Sequence, residues 1–157
     1  MNPFILVLSS PSGGGKTTIA KALLTARENL GFSISATTRP PRSGERDGVD
    51  YHFLTVESFV ERRERGQFLE WAEYSGQLYG TLEAEVDQVL SEGRLPVLDI
   101  EIEGAKQVRE RRSDVVSIFV LPPSAELLVD RLLGRDKGPA DAKVIRRLRR
   151  AIEEVDA

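Results

Sequence analysis

Ser10-Pro11-Ser12-Gly13-Gly14-Gly15-Lys16-Thr17 lies between an unbroken apolar run, Phe4-Ile5-Leu6-Val7-Leu8, and Ile19, Ala20, Leu23 and Leu24 at helical spacing. Few sequence features restrict a fold as much. The apolar run suits a buried parallel strand, and the later spacing predicts an amphipathic helix. A Gly-rich turn between them can aim several backbone N–H groups at one anion, at the positive end of the helix dipole. Residues 10–17 therefore read as a phosphate-binding loop. Lys16 is placed to reach outer phosphates and the Thr17 hydroxyl to meet Mg²⁺. Ser10 stands where the strict motif has its first glycine. An ordinary Gly-rich turn is the plainer reading, and the flanking strand and helix weigh against it.

One domain is expected from 157 residues, with enough chain to bury a core unaided by disulfides or structural metal. There is no cysteine and a single histidine, His52, which excludes disulfides, thiol catalysis and cysteine-containing zinc sites. The first apolar run is too short to span a bilayer and lacks a charged lead or cleavage site, so a cytoplasmic location is expected, with no membrane partner. A net charge of −3 argues against nucleic acid as a general partner. Arginines nevertheless gather in two places, at Arg39, Arg42 and Arg46 and again at Arg131, Arg135, Arg146, Arg147, Arg149 and Arg150. Phosphates on a small ligand suit such patches.

Beyond the first helix, Gly31 breaks the pattern and residues 32–35 alternate like a short strand. From Ala36 to Asp50 almost nothing asks for burial, as in a functional loop. Residues 51–54 restart a strand, and Thr55 is placed to cap a helix that stops at Gly66. Residues 68–74 alternate, Ser75-Gly76 turns and Leu78-Tyr79-Gly80 returns, predicting an antiparallel hairpin. A helix is expected over 82–91, buried strands at 96–100 and 115–121 with a helix over 105–112 between them, a helix from Ser124 to Leu133, a polar Gly/Pro connector and a last amphipathic helix over 144–155. The fold class expected is α/β, with a parallel sheet covered by helices on both faces as in P-loop NTPases and a small mixed α+β insert.

A phosphate loop alone serves ATPases, GTPases and small-molecule kinases alike. Thr37-Thr38-Arg39-Pro40-Pro41-Arg42, followed by Glu45, Gly48 and Tyr51-His52-Phe53, narrows the choice. This combination closely resembles the signature of the guanylate kinase family, and the resemblance runs from Ile5 to about Val155. It implies a core of 1–35 and 82–157, a monophosphate-binding insert of 36–81 and a helical lid of 134–147. It implies ATP and GMP as substrates with Mg²⁺, and direct in-line transfer of the γ-phosphoryl group. Arg39 and Arg42 would hold the GMP phosphate, Tyr51 and Tyr79 would add hydroxyl donors, and Glu45 would orient an arginine. Glu70 and Glu101 occupy the base-recognition positions, and Ser35 and Thr81 the hydroxyl positions. Lys16, Arg39, Arg42 and the lid arginines Arg135 and Arg147 would supply catalytic charge.

Glu70 has a chemical logic of its own, because a fixed carboxylate accepts from both N1–H and the amino group of guanine and repels the N1 acceptor of adenine. Periodicity alone leaves it equally able to face outward. Asp99, near the carboxyl end of a buried strand, looks like the metal-side acid of phosphate-loop enzymes, whereas without the upstream loop it would read equally as an N-cap or a turn residue. The family usually has Asp in place of Glu101 and commonly Gln in place of Glu103. The resemblance also implies, after Ala157, a further strand with an Asn-Asp pair near adenine and a terminal helix. Without them a sheet edge is expected to lie open and ATP to bind less tightly. A non-catalytic relative that binds a phosphorylated protein and a kinase for another nucleoside monophosphate remain as alternatives, with the intact Lys16-Thr17 pair against the former.

Overall fold

The computed structural model describes residues 3–11, 13–135, 149 and 151–153. In chain order, β1 (Ile5–Ser9), α1 (Lys16–Ala26), β2 (Leu30–Phe32), β3 (Ser35–Thr37), β4 (His52–Phe53), α2 (Val56–Glu64), β5 (Phe68–Tyr74), β6 (Gln77–Leu82), α3 (Glu83–Ser91), β7 (Leu95–Asp99), α4 (Ile102–Arg111), β8 (Val115–Phe119) and α5 (Ala125–Arg135) form two four-stranded sheets with their helices.

The first sheet runs β2-β7-β1-β8, and every pairing in it is parallel. Strand pleat sorts β1 to two faces. Ile5 and Val7 join Leu98, Val86, Ala105 and Val108 beneath α3 and α4, whereas Leu6 and Leu8 join Val97 and Ala20 beneath α1. Helices thus cover both faces. Each valine, leucine or isoleucine among them contributes about 1.5–3 kcal/mol on full burial, and β1, with a strand on either side, is buried throughout.

Connections from the two central strands run in opposite directions. The chain leaves β1 through α1 for β2, beyond β7, and leaves β7 through α4 for β8, beyond β1. The carboxyl ends of β1 and β7 therefore flank the switch point at which open α/β sheets bind ligands. Lys16 and Thr17 meet Asp99, Ile100 and Glu101 there.

The second sheet runs β4-β3-β6-β5. Its hairpin β5–β6 turns at Ser75 (φ 53°) and Gly76 (φ 75°), the pair of positive φ values of a two-residue type I′ turn. Ala36, Phe59, Phe68 and Leu82 form its core. The Thr55 hydroxyl accepts from Ser58 N–H at 3.2 Å, capping α2 as expected.

Four expectations change. Residues 32–35 are not one strand: β2 ends at Phe32 in the first sheet and β3 begins at Ser35 in the second, so the chain crosses between sheets where alternation suggested continuity. Gly31 is no breaker but lies inside β2, where an added Cβ would come 2.5 Å from Val89 of α3. Ala36 and Thr37, assigned to a polar excursion, are fully buried in β3. Among the described residues the strand at 115–121 is an edge, with Val115 alone of its residues packed against a core cluster and Val116, Ile118 and Phe119 exposed. An apolar run alone does not tell a central strand from an edge. Helix bounds also shift, with α4 beginning three residues early and α5 continuing through Gly134 to Arg135.

Ser12, Arg147 and the expected lid positions beyond Arg135 lie outside the described residues. Arg149 and residues 151–153 are helical, and Ala151 packs on Leu128 of α5. Among the described residues no helix is long and apolar enough to cross a membrane.

Candidate active site

The loop after β1 keeps its shape through small residues and backbone bonds. Gly14 N–H donates to Pro11 C=O at 2.8 Å, and the Ser10 hydroxyl donates to the same carbonyl at 3.0 Å. Gly13 (φ 88°) and Gly15 (φ 98°) take left-handed angles, and Gly15 caps α1 through its carbonyl, which accepts from Thr18 and Ile19 N–H. Lys16 and Thr17 follow in the first turn of α1.

Opposite them stands the end of β7. The Lys16 ammonium donates to Glu101 Oε1 at 2.8 Å and to Ile100 C=O at 3.1 Å, and lies 3.4 Å from Asp99. Burial works against the lysine's charge, but Glu101 and then Asp99 outweigh it, leaving the ammonium pKa above its usual value. The Thr17 hydroxyl donates to Asp99 Oδ2 at 2.7 Å. Hydroxyl and carboxylate are hard oxygen donors of the kind Mg²⁺ takes with waters and phosphates, so this pair fits the ion. Among the described residues no cluster of three His, Cys, Asp or Glu could hold a metal by protein ligands alone.

Arg131 is a contributor that charge counting placed only in a patch. From α5 its guanidinium donates to Gly13 and Gly14 C=O at 3.4 and 3.3 Å. It lines an open cleft of about 530 Å³ with Gly15, Thr18, Ile19, Leu121 and Pro123. Its signal in the sequence is its place one helical turn ahead of Arg135 and the Gly/Pro connector. Arg135 is the last residue of α5.

In the second sheet, Thr37 and Thr38 tie the start of the arginine loop to β6. The Thr37 hydroxyl donates to Leu78 C=O and accepts from Arg39 N–H, and Thr38 Oγ1 accepts from Leu78 N–H. Arg39 is thereby held in a planar fork, both of its terminal nitrogens donating to Glu45 at 2.9 Å. Glu45 also accepts from Arg42 N–H at 2.6 Å, and its carboxyl lies below the usual range, chiefly through the Arg39 hydrogen bond. The guanidinium stands 5.3 Å from the Tyr51 ring centre and 5.7 Å from that of Phe53, a cation–π arrangement. Tyr51 meets Tyr79 edge-on with centroids 6.3 Å apart. Burial raises the Tyr51 hydroxyl pKa, and the charge of Asp99 adds to the rise. The Arg42 side chain is exposed.

Glu70 is the departure from what β-periodicity suggests. Phe68 pairs with Leu82 but Glu70 with Thr81, an extra residue in β5. This bulge lets Phe68 and Trp71 both pack in the second-sheet cluster while Leu69 enters the main core. Glu70 is only 4% exposed. Its Oε1 accepts from the Thr81 hydroxyl at 2.7 Å, and its Oε2 lies against Gly104 of α4. Burial pushes the Glu70 carboxyl up to about 7, against the Thr81 hydrogen bonds that favour the ionised form. Ser35 pairs with Thr81 in register across β3 and β6.

The structure thus brings Lys16, Thr17, Asp99 and Glu101 into direct contact, and Arg39, Glu45, Tyr51 and Tyr79 into a second cluster, with Glu70 and Thr81 hydrogen-bonded to each other.

The family model described as guanylate kinase matches residues 2–156. This chain belongs to the guanylate kinase family. A guanylate kinase of Rubrobacter xylanophilus is 50% identical over 153 residues, a match spanning 98% of this chain and 80% of that one. One from Anaeromyxobacter dehalogenans is 49% identical over 152 residues, 96% of this chain and 67% of the other. The solved guanylate kinase of Anaplasma phagocytophilum superposes with a TM-score of 0.74 at 35% identity, covering 98% of this chain and 71% of its own. The parallel sheet and its helices are accordingly the P-loop NTPase-type core of a guanylate kinase fold.

Proposed function

We infer that this chain transfers the γ-phosphoryl group of ATP to GMP, giving ADP and GDP, with dGMP as a second acceptor. The observation that carries the choice of acceptor is the buried Glu70 carboxylate. It is satisfied by Thr81 on one oxygen, costs the fold stability when ionised, and matches a base that presents two donors side by side. A base with an acceptor at N1 leaves that charge unpaired, a large penalty in a buried site.

The following roles fit this reading. The loop at 10–17 wraps the ATP phosphates, with Lys16 leaving Glu101 and Ile100 C=O for the outer ones. Adenine enters the cleft beside Arg131, Leu121 and Pro123. Thr17 and Asp99 would hold Mg²⁺, which when bound neutralises phosphate charge. Arg39, fixed by Glu45, takes the GMP phosphate with Arg42, Tyr51 and Tyr79. Glu70, Thr81, Ser35 and Glu101 read guanine. The acceptor phosphate is already ionised, so no general base is required, and rate comes from in-line placement and charge neutralisation. Arg135 and Arg147 are assigned to a lid over 134–147 that excludes water, with the insert taken as 36–81 and the rest as core.

A coupled assay of ADP release with GMP, dGMP, AMP and UMP tests this. GMP and dGMP turn over and AMP and UMP do not. Equal turnover with AMP, or none with GMP, rejects the reading.

A further inference from the structure

Helix α4 belongs to the first sheet by sequence, but one of its faces is spent on the second. Three of its residues, spaced three and four apart and so on one side of the helix, touch β5 around Glu70. An added Cβ at Gly104 would lie 2.3 Å from Glu70 Oε2 and 2.9 Å from its carboxyl carbon. One turn on, the Gln107 amide closes a two-bond ring with Trp71: Trp71 N–H donates to Oε1 at 3.2 Å, and Nε2 donates to Trp71 C=O at 2.8 Å. Arg111 donates to Phe68 C=O at 2.7 Å. β5 is the end strand of its sheet, so Gln107 takes the place of a neighbouring strand's peptide group. The bonded residues bracket the bulge that turns Glu70 inward, and bulges re-aim side chains only as far as their surroundings hold them.

We propose that α4 determines base selectivity by positioning Glu70, with Gly104 leaving room for its carboxylate and Gln107, seconded by Arg111, locking the backbone on either side of it. These are positioning residues. None of them needs to touch a nucleotide. The proposal rests on Glu70 reading guanine.

Steady-state kinetics of the whole chain with GMP and IMP tests it, since IMP keeps N1–H and lacks the amino group. Gln107→Leu removes both amide bonds at similar volume. It raises KM for GMP about tenfold and brings the GMP-to-IMP ratio of kcat/KM toward one, as a misplaced contact does. Its kcat stays within about twofold and its KM for ATP is unchanged, because the phosphate loop is not involved. Gly104→Ala gives the same pattern. Combined with Glu70→Asp, which withdraws the carboxylate by one methylene, it is no worse than Glu70→Asp alone. If Gly104→Ala does not fold, Gln107→Leu decides by itself. An unchanged GMP-to-IMP ratio in Gln107→Leu overturns the proposal, as does a parallel loss for ATP and GMP with a lowered melting temperature. Glu70→Gln separates the two levels. Should it retain the preference for GMP, the reading of Glu70 falls first; should it lose the preference while Gln107→Leu keeps it, only the role of α4 falls.

Discussion

The phosphate loop and the β5 hairpin solve opposite problems. The loop must offer donors to an anion that arrives with its own charge, and it does so with contiguous backbone, small residues and one lysine at a helix start. The hairpin must keep an anion of its own out of water and ready, and for that it needs a bulge, a threonine on the next strand and a helix from the other sheet. The first can be written in a short run of sequence. The second is assembled from residues 70, 81, 104 and 107, which no local pattern joins. What separates them is whether the charge comes with the ligand or is built into the protein.

The comparison breaks most sharply at Lys16. Lys16→Ala is expected to lower GDP formation about a thousandfold, the scale of losing a charge that acts on the transferring group, while GMP binding measured by titration changes less than about threefold. A large loss of GMP affinity would merge the two regions into one. Next comes Glu70→Gln, which is expected to raise KM for GMP about a hundredfold and leave KM for ATP alone.

The Glu70 carboxyl also gives a pH signature near neutrality. Its pKa rises from 4.5 to about 7 in the fold, so between those values the folded state holds a proton that the unfolded chain has released, and stability falls as pH rises across that window. Above pH 7, Glu70→Gln is therefore expected to be more stable than the parent by about 2 kcal/mol, read as a higher melting temperature at pH 8. In the parent, KM for GMP should decrease as pH rises through about 7, because only the ionised carboxylate accepts from both guanine donors.

Smaller effects sharpen the same contrast. Glu45→Gln loosens the Arg39 fork and is expected to raise KM for GMP about tenfold, with ATP unaffected in the same assay. Glu101→Gln weakens the partner that Lys16 must leave, and ATP affinity without GMP is expected to improve about threefold by calorimetry.

Legibility in the sequence follows the same divide. The loop, the strand before it, α1, the Thr55 cap and the Ser75-Gly76 turn were readable because each depends on neighbours in the chain. Arg39 and Glu45 were readable through the family resemblance, and their contact is local. Glu70 could be named from chemistry but not oriented, since the extra residue at the bulge is invisible to a period of two. Gly31 misled because a glycine that admits a packed helix looks the same in sequence as one that ends an element. The edge position of β8 depends on strand order, which apolar content does not encode. Arg131, Gly104 and Gln107 serve through partners more than thirty residues away.

One small substitution in the loop bears on how such chains are sought. Ser10 carries a side chain at the place where a strict pattern requires none, and its φ is not positive. The crowding is relieved at Gly14 instead, where an added Cβ would sit 2.8 Å from that of Ser10. What the turn demands is vacant volume shared between two facing positions, and either order of small and smaller can provide it. A search template that insists on glycine at the first position discards members whose anion cradle is whole, whereas one that scores positions 10 and 14 together keeps them.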